Sequence, residues 1–156
     1  MKKLIALALA TCTAVVLGMA TPRGGDHEAV ERACFDYIDA FYEVKPEYIE
    51  RSVHESLRKV GFSMWGDMTD YSEPHEMTFA QARDLAASWN TEGTKTDDDS
   101  PREVVLYEVL DKTAVAKVTA MWGVDYMHLA KFDDTWKIIN VIWQSHPPRA
   151  EASYAR

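Results

Sequence analysis

Imidazole titrates nearest to neutrality, so His54 and His128 are the chain's first candidates for acid–base work. A catalytic role needs a partner: His128 could meet His54 or Asp36 across a cavity. A structural role needs only a satisfied hydrogen bond. Tyr126 stands two positions before His128, so the two share one face of any strand that carries them. Other chemistries find less support. No His-x-His or His-x-x-x-His spacing suits zinc. Asp97-Asp98-Asp99 lacks the alternating oxygens and final bidentate acid of a calcium loop, and reads as a solvated loop. No Gly-x-Ser-x-Gly elbow, phosphate loop or dinucleotide fingerprint occurs, so hydrolase, kinase and nicotinamide-dependent readings lose their footing. No metal and no cofactor is expected. Cys34 falls on an apolar stripe and reads as a small buried hydrophobe rather than a reactive thiol.

The elements that must position these residues are helical first and strand-rich later. From Asp26, a plausible N-cap, the positions Val30, Cys34, Tyr37, Ile38 and Phe41 follow helical spacing. Pro46 suits the first position of a second short helix with Ile49 and Val53 inside. His54-Glu55-Ser56-Leu57 ends that helix, Gly61 acts as a breaker after it, and residues 62–77 read as irregular. Thr78-Phe79-Ala80-Gln81 is a capping box opening a third helix whose apolar face is Ala82, Leu85, Ala86 and Trp89. Residues 103–110, 113–122, 124–132 and 136–143 then read as four strands joined by short turns. The turn around Gly123 must be tight or bulged. Period two puts Tyr126, His128 and Phe132 on one face and Asp125, Met127, Leu129 and Lys131 on the other. It also puts Trp136, Ile138, Asn140 and Ile142 together. Both faces of these strands are partly apolar, which predicts cover on both, the outer one by a second copy of the chain.

Composition bounds the rest. The 156 residues suffice for one domain, and 47% hydrophobic residues can fill its core. With 17 basic against 25 acidic residues, the net charge is −8, so a partner bound through its phosphates is not expected. Met1-Lys2-Lys3, the apolar run from Leu4 to Gly18 and Gly18-Met19-Ala20 form the pattern of a secretory signal cleaved after Ala20. The run is too short for a comfortable membrane span. Leu9-Ala10-Thr11-Cys12 resembles a lipobox, but Thr11 is large for its place and the apolar run continues past Cys12. The expected organisation is a signal at 1–20, a linker at 21–27, a domain at 28–145 and a frayed tail at 146–156. The mature protein would be periplasmic or secreted, with no stable membrane insertion.

Five strings carry a family resemblance: Met77-Thr78-Phe79, Ser88-Trp89-Asn90, Ala114-Val115-Ala116-Lys117-Val118, Asp125-Tyr126-Met127-His128-Leu129-Ala130-Lys131 and Trp136-Lys137-Ile138-Ile139-Asn140-Val141. Together they resemble the putative lumazine-binding family of the nuclear transport factor 2-like superfamily. The resemblance implies an α+β cone, with three N-terminal helices packed on a strongly curved antiparallel sheet and a cavity at its open end. Related isomerases carry a tyrosine in the first helix that donates to a substrate oxyanion, which points to Tyr37. Their base aspartate has no counterpart in Lys59-Val60-Gly61-Phe62, which argues against that reaction.

The leading expectation is an exported, non-catalytic protein that binds a small apolar or aromatic ligand with Tyr37, His54, Trp89, Tyr126 and His128. Tyr126 and His128 are favoured over the opposite strand face because Asp125 and Lys131 belong more naturally in solvent. The alternatives are a cofactor-free dehydratase or isomerase using Tyr37 with His54 or His128, and a dimeric interaction scaffold. A homodimer is expected.

Overall fold

A computed structural model describes residues 23–147. The expected signal, Cys12 and most of the expected tail lie outside the described residues. Three helices, α1 (Arg23–Tyr42), α2 (Pro46–Ser52) and α3 (Phe79–Ala86), accompany six strands. The strands are β1 (Val53–Phe62), β2 (His75–Met77), β3 (Arg102–Val109), β4 (Thr113–Ala120), β5 (Gly123–Phe132) and β6 (Thr135–Gln144).

Helix α1 buries Val30, Cys34, Tyr37, Ile38 and Phe41, the stripe that its spacing predicts. It starts at Arg23, so it reaches into the stretch expected as linker, and Asp26 lies in its first turn rather than capping it. Asp26 Oδ1 accepts from Lys131 Nζ (2.7 Å) and Trp136 Nε1 (3.0 Å), which pins the start of α1 to β5 and β6. The lysine bond, then the indole bond, hold this carboxyl below the ordinary range. Pro46 sits at the start of α2, where its fixed φ suits the first turn. The capping box of α3 forms as read: Gln81 N donates to Thr78 Oγ1, and Thr78 N donates to Gln81 Oε1 at 2.8 Å.

Strand order is β2-β1-β6-β5-β4-β3. The meander β3 to β6 pairs antiparallel throughout. Its tight β4–β5 turn depends on Gly123, which has φ +145° and lies so close to β6 that a Cβ would sit 1.9 Å from the Gln144 carbonyl oxygen. The expectation of a strongly curved antiparallel sheet is corrected here. Residues 53–62, read as a helix end and a break, form β1, and β1 pairs parallel to β6. The sheet is therefore mixed. It is open rather than closed or strongly curved, with β2 and β3 as separate edges. A hairpin meander alone can only be antiparallel; the added strand on the far side of β6 changes that.

The helices lie on one face of the sheet. Beneath them sit Ala114, Ala116 and Val118 of β4, Met127 and Leu129 of β5, and Trp136, Ile138, Val141 and Trp143 of β6. The pairing of β5 with β6 shifts between His128↔Asn140 and Leu129↔Ile138, which leaves Ile139 as a bulged residue. The bulge splits the face read from period two. Trp136 and Ile138 point in with the core, while Ile142 points out and is 49% exposed.

Candidate functional site

The strand face expected to reach a cavity is the outer one. Tyr126 is 49% exposed and His128 is exposed, whereas Asp125 is 0% exposed beneath the helices. The premise that Asp125 belongs in solvent is thus overturned. The reason is a partner that strand periodicity alone does not reveal. Lys59, on the inner face of β1 and 6% exposed, donates to Asp125 Oδ1 at 3.0 Å. Its Nζ also donates to the Tyr37 hydroxyl at 2.5 Å. Asp125 Oδ2 accepts from the Trp122 indole N–H at 2.6 Å. One buried chain of contacts therefore joins α1, β1, the β4–β5 turn and β5.

Burying an ammonium and a carboxylate costs several kcal/mol per ion before their attraction repays it, so such pairs need good geometry and full hydrogen bonding. Both conditions hold: among the described residues no buried side-chain nitrogen or oxygen lacks a partner. Burial first, and the Asp125 charge second, push the Tyr37 phenol well above its ordinary range, so it stays protonated. An ammonium carries three N–H donors. Tyr37 and Asp125 take two of them, and the same Lys59 lines a cavity of about 270 Å³.

The cavity walls are aromatic. Phe41 from α1, Trp89 just beyond α3, Trp122 from the β4–β5 turn and Trp143 from β6 converge with Trp65 from the β1–β2 connection. His75, Met77 and Leu85 complete the rim. Edge-on contacts fix the rings: Phe41 to Trp122 at 5.1 Å, Trp89 to Trp122 at 5.6 Å and Phe41 to Trp89 at 6.4 Å between centroids. Tyr42 stacks on Trp89 at 6.1 Å, and its hydroxyl donates to the Pro101 carbonyl (2.6 Å) and accepts from Met121 N (2.7 Å). Trp143 lies flat over Gly61, where an added Cβ would come within 2.1 Å of the ring. Gly61 is thus the seat of a cavity wall, not a strand breaker. Lys59 Nζ is 5.1 Å from the Trp143 ring centroid, within cation–π range. Trp65 is 50% exposed at the mouth.

Of the residues singled out from the sequence, Trp89 lines this cavity. Tyr37 stands behind Lys59, fully buried; it backs the cavity through that amine and through edge-on contacts with Phe41 (5.3 Å) and Trp122 (6.1 Å between centroids), and is not itself part of the lining. His54 is the second residue of β1, where its Nδ1 meets Ser56 Oγ at 2.7 Å and its ring stacks on Phe132 at 4.3 Å. His128 Nδ1 meets Asn140 Oδ1 at 3.1 Å on the outer face. The structure does not bring His54, Tyr126 and His128 to the cavity. Asp36 does not meet His128 either; it accepts both prongs of Arg51 at 2.6 Å each. Cys34 is fully buried, and burial pushes its thiol up to about 12, as suits an inert core residue.

Sequence reasoning missed Lys59, Asp125, Trp122 and Trp143 as a constellation. Two signals were available: a lysine and a glycine at alternate positions in Leu57–Phe62, and a lone acid ahead of Met127 and Leu129. Both break an apolar strand pattern on its inner side. A more open depression of about 500 Å³ runs beside Glu28, Glu31, Asp36, Asp39 and Arg102. Its buried carboxylates are already gripped, Asp36 by Arg51 and Asp39 by Arg102, so they fasten α2 and β3 to α1. Among the described residues no group of acids, histidines and cysteines could hold a metal, and no helix is long and apolar enough to cross a membrane.

Comparison with known proteins fits this architecture. None of the curated proteins matches the chain. Among solved structures, a nuclear transport factor 2-like protein of unknown function from Shewanella baltica is 12% identical, with TM-score 0.58, and the match covers 82% of this chain and 99% of that one. A domain of unknown function with a cystatin-like fold from Nostoc punctiforme is 14% identical, with TM-score 0.60 over 85% and 83% of the two chains. A nuclear transport factor 2-like protein from Methylobacillus flagellatus is 18% identical, with TM-score 0.53 over 79% and 94%. At these identities the likeness speaks for the fold alone. The sequence pattern of the putative lumazine-binding family matches residues 25–144, nearly all of the described fold. The chain belongs to that family.

Proposed function

We propose that this is an exported protein that binds a small, planar, largely apolar ligand in the aromatic cavity and does not turn it over. The observation that carries the reading is the convergence of Trp65, Trp89, Trp122, Trp143 and Phe41 around one buried amine. Flat rings stack on such walls, and a single polar group orients them. A volume of about 270 Å³ suits one or two fused rings. The isomerase-like alternative finds less support, because no carboxylate lines the cavity and the Tyr37 oxygen lies behind Lys59. The export part rests on the residue pattern of positions 1–20, and N-terminal sequencing of protein from its native host tests it.

Native mass spectrometry of the purified protein, followed by titration with 2-naphthol while tryptophan emission is recorded, tests the binding reading. A retained small molecule, or saturable quenching that Trp89→Ala weakens, supports it. A protein with no retained ligand and no quenching would refute it.

A second reading concerns the outer face of the sheet. Tyr126, Ile142 and Val105 are 49%, 49% and 46% exposed on the sheet, with Val60 beside Ile142. Such a surface supports a homodimer packed through its sheets. Sedimentation that shows only monomer at about tens of micromolar would refute this.

A further inference from the structure

We propose that Lys59 captures planar aromatic aldehydes or ketones as a covalent iminium in the cavity. This rests on the cavity reading above and names the ligand class. Amine, carboxylate and phenol are already assembled: Nζ lies 2.5 Å from the Tyr37 hydroxyl and 3.0 Å from Asp125 Oδ1. Lys59 is 6% exposed and lines the aromatic cavity, with Nζ 5.1 Å from the Trp143 and 6.0 Å from the Trp122 ring centroid, so whatever reaches the amine must pass between indole rings. A lysine amine in an apolar pocket is the kind proteins use to form imines with carbonyl substrates, and here Asp125 at 3.0 Å must first take its proton.

The step balances without an added reagent. The carbonyl carbon bonds to Nζ, and the carbonyl oxygen leaves as water. Both hydrogens of that water come from the ammonium, which starts with three and ends with one. One hydrogen passes from nitrogen to the alkoxide. The other travels by way of Asp125, which frees the lone pair for attack and then protonates the departing hydroxyl. The iminium carries the same single positive charge as the ammonium, so Asp125 faces a cation in both end states and is itself neutral while it holds the proton. The buried carboxylate, which would be costly if left alone, is never exposed to that cost. Tyr37, protonated and beside Nζ, positions the nitrogen.

The test treats the native protein with 2-naphthaldehyde and sodium cyanoborohydride, which reduces the iminium to a stable amine. Digestion and mass spectrometry then locate the adduct. Modification of Lys59 should outpace that of the more exposed Lys95 and Lys117 by about ten-fold or more, because the cavity holds the carbonyl at the amine. An excess of 2-naphthol, which cannot react, should suppress it, and Lys59→Arg should abolish it. Should the variant fail to fold, the mapping on native protein decides alone. Lys59 modified no faster than surface lysines overturns the proposal. Quenching of tryptophan emission by 2-naphthol in that same sample separates the two claims. Quenching without an adduct at Lys59 overturns covalent capture and leaves the cavity reading standing; neither signal overturns both.

Discussion

Replacing Lys59 by Met keeps a chain of similar length and removes the charge. Asp125, with no exposure at all, then loses its ammonium partner at 3.0 Å and keeps only the Trp122 indole at 2.6 Å. The Tyr37 hydroxyl loses its donor as well. Removing one partner of a fully buried ion pair costs about 3–5 kcal/mol, most of it the unpaired charge left behind. For a domain of this size about 4 °C of Tm corresponds to each kcal/mol, so Lys59→Met should melt about 12–20 °C lower. The added change Asp125→Asn keeps an acceptor for the indole and removes the orphaned charge. Lys59→Met/Asp125→Asn should therefore be at least about 1 kcal/mol more stable than Lys59→Met alone, a coupling that a double-mutant cycle reads from urea or thermal unfolding. A single variant that loses less than about 1 kcal/mol, or two changes whose costs simply add, would refute the reasoning, because the pair would then be behaving as a solvated surface contact.

Gly61→Ala should cost about 1–3 kcal/mol by pushing a methyl into the Trp143 ring, and should weaken 2-naphthol quenching with it; unchanged melting and quenching would count against the cavity wall described here. The Asp26 carboxyl is held below its ordinary range first by Lys131, so it contributes stability above the unfolded-state value, and that stability is lost as pH falls through the native value. Asp26→Asn should accordingly flatten the acid limb of a stability–pH curve while leaving the slope near neutrality unaltered, and parallel acid limbs would contradict the assignment. Tyr126→Glu on the outer face should shift sedimentation from dimer to monomer with little change in quenching, because that face and the cavity lie on opposite sides of the sheet.

Much of the fold was legible because local rules govern it. The α1 stripe, Pro46 at the start of α2, the Thr78–Gln81 box and the four meander strands all follow from spacing and capping chemistry. Strand β1 was not legible, for a reason tied to the site. Its inner positions carry Lys59 and Gly61 where apolar residues would announce a strand. Lys59 is there to meet Asp125 and Tyr37, and Gly61 to seat Trp143. Residues that break a local pattern without breaking the fold are those a site demands. The same logic hid Asp125. A lone acid in a strand reads as solvent-facing until its partner is known, and that partner is 66 residues away. Missing β1 also made the sheet look antiparallel throughout. The Ile139 bulge shows the other limit of periodicity: period two is reliable only between bulges, and one extra residue turned Asn140 and Ile142 to the outer face.

The chain's 5 tryptophans allow a direct test of the central claim, that planar ligands are held in the aromatic cavity before Lys59. Trp65, Trp89, Trp122 and Trp143 line the cavity, whereas Trp136 lies elsewhere, with its indole N–H bound to Asp26. Each indole gives one N–H resonance in a proton–nitrogen correlation spectrum, assignable by single Trp→Phe changes. On titration with 2-naphthol the four cavity indoles should shift together along one saturable curve, while Trp136 stays in place. Four cavity signals that do not move, or a shift centred on Trp136, would contradict the account.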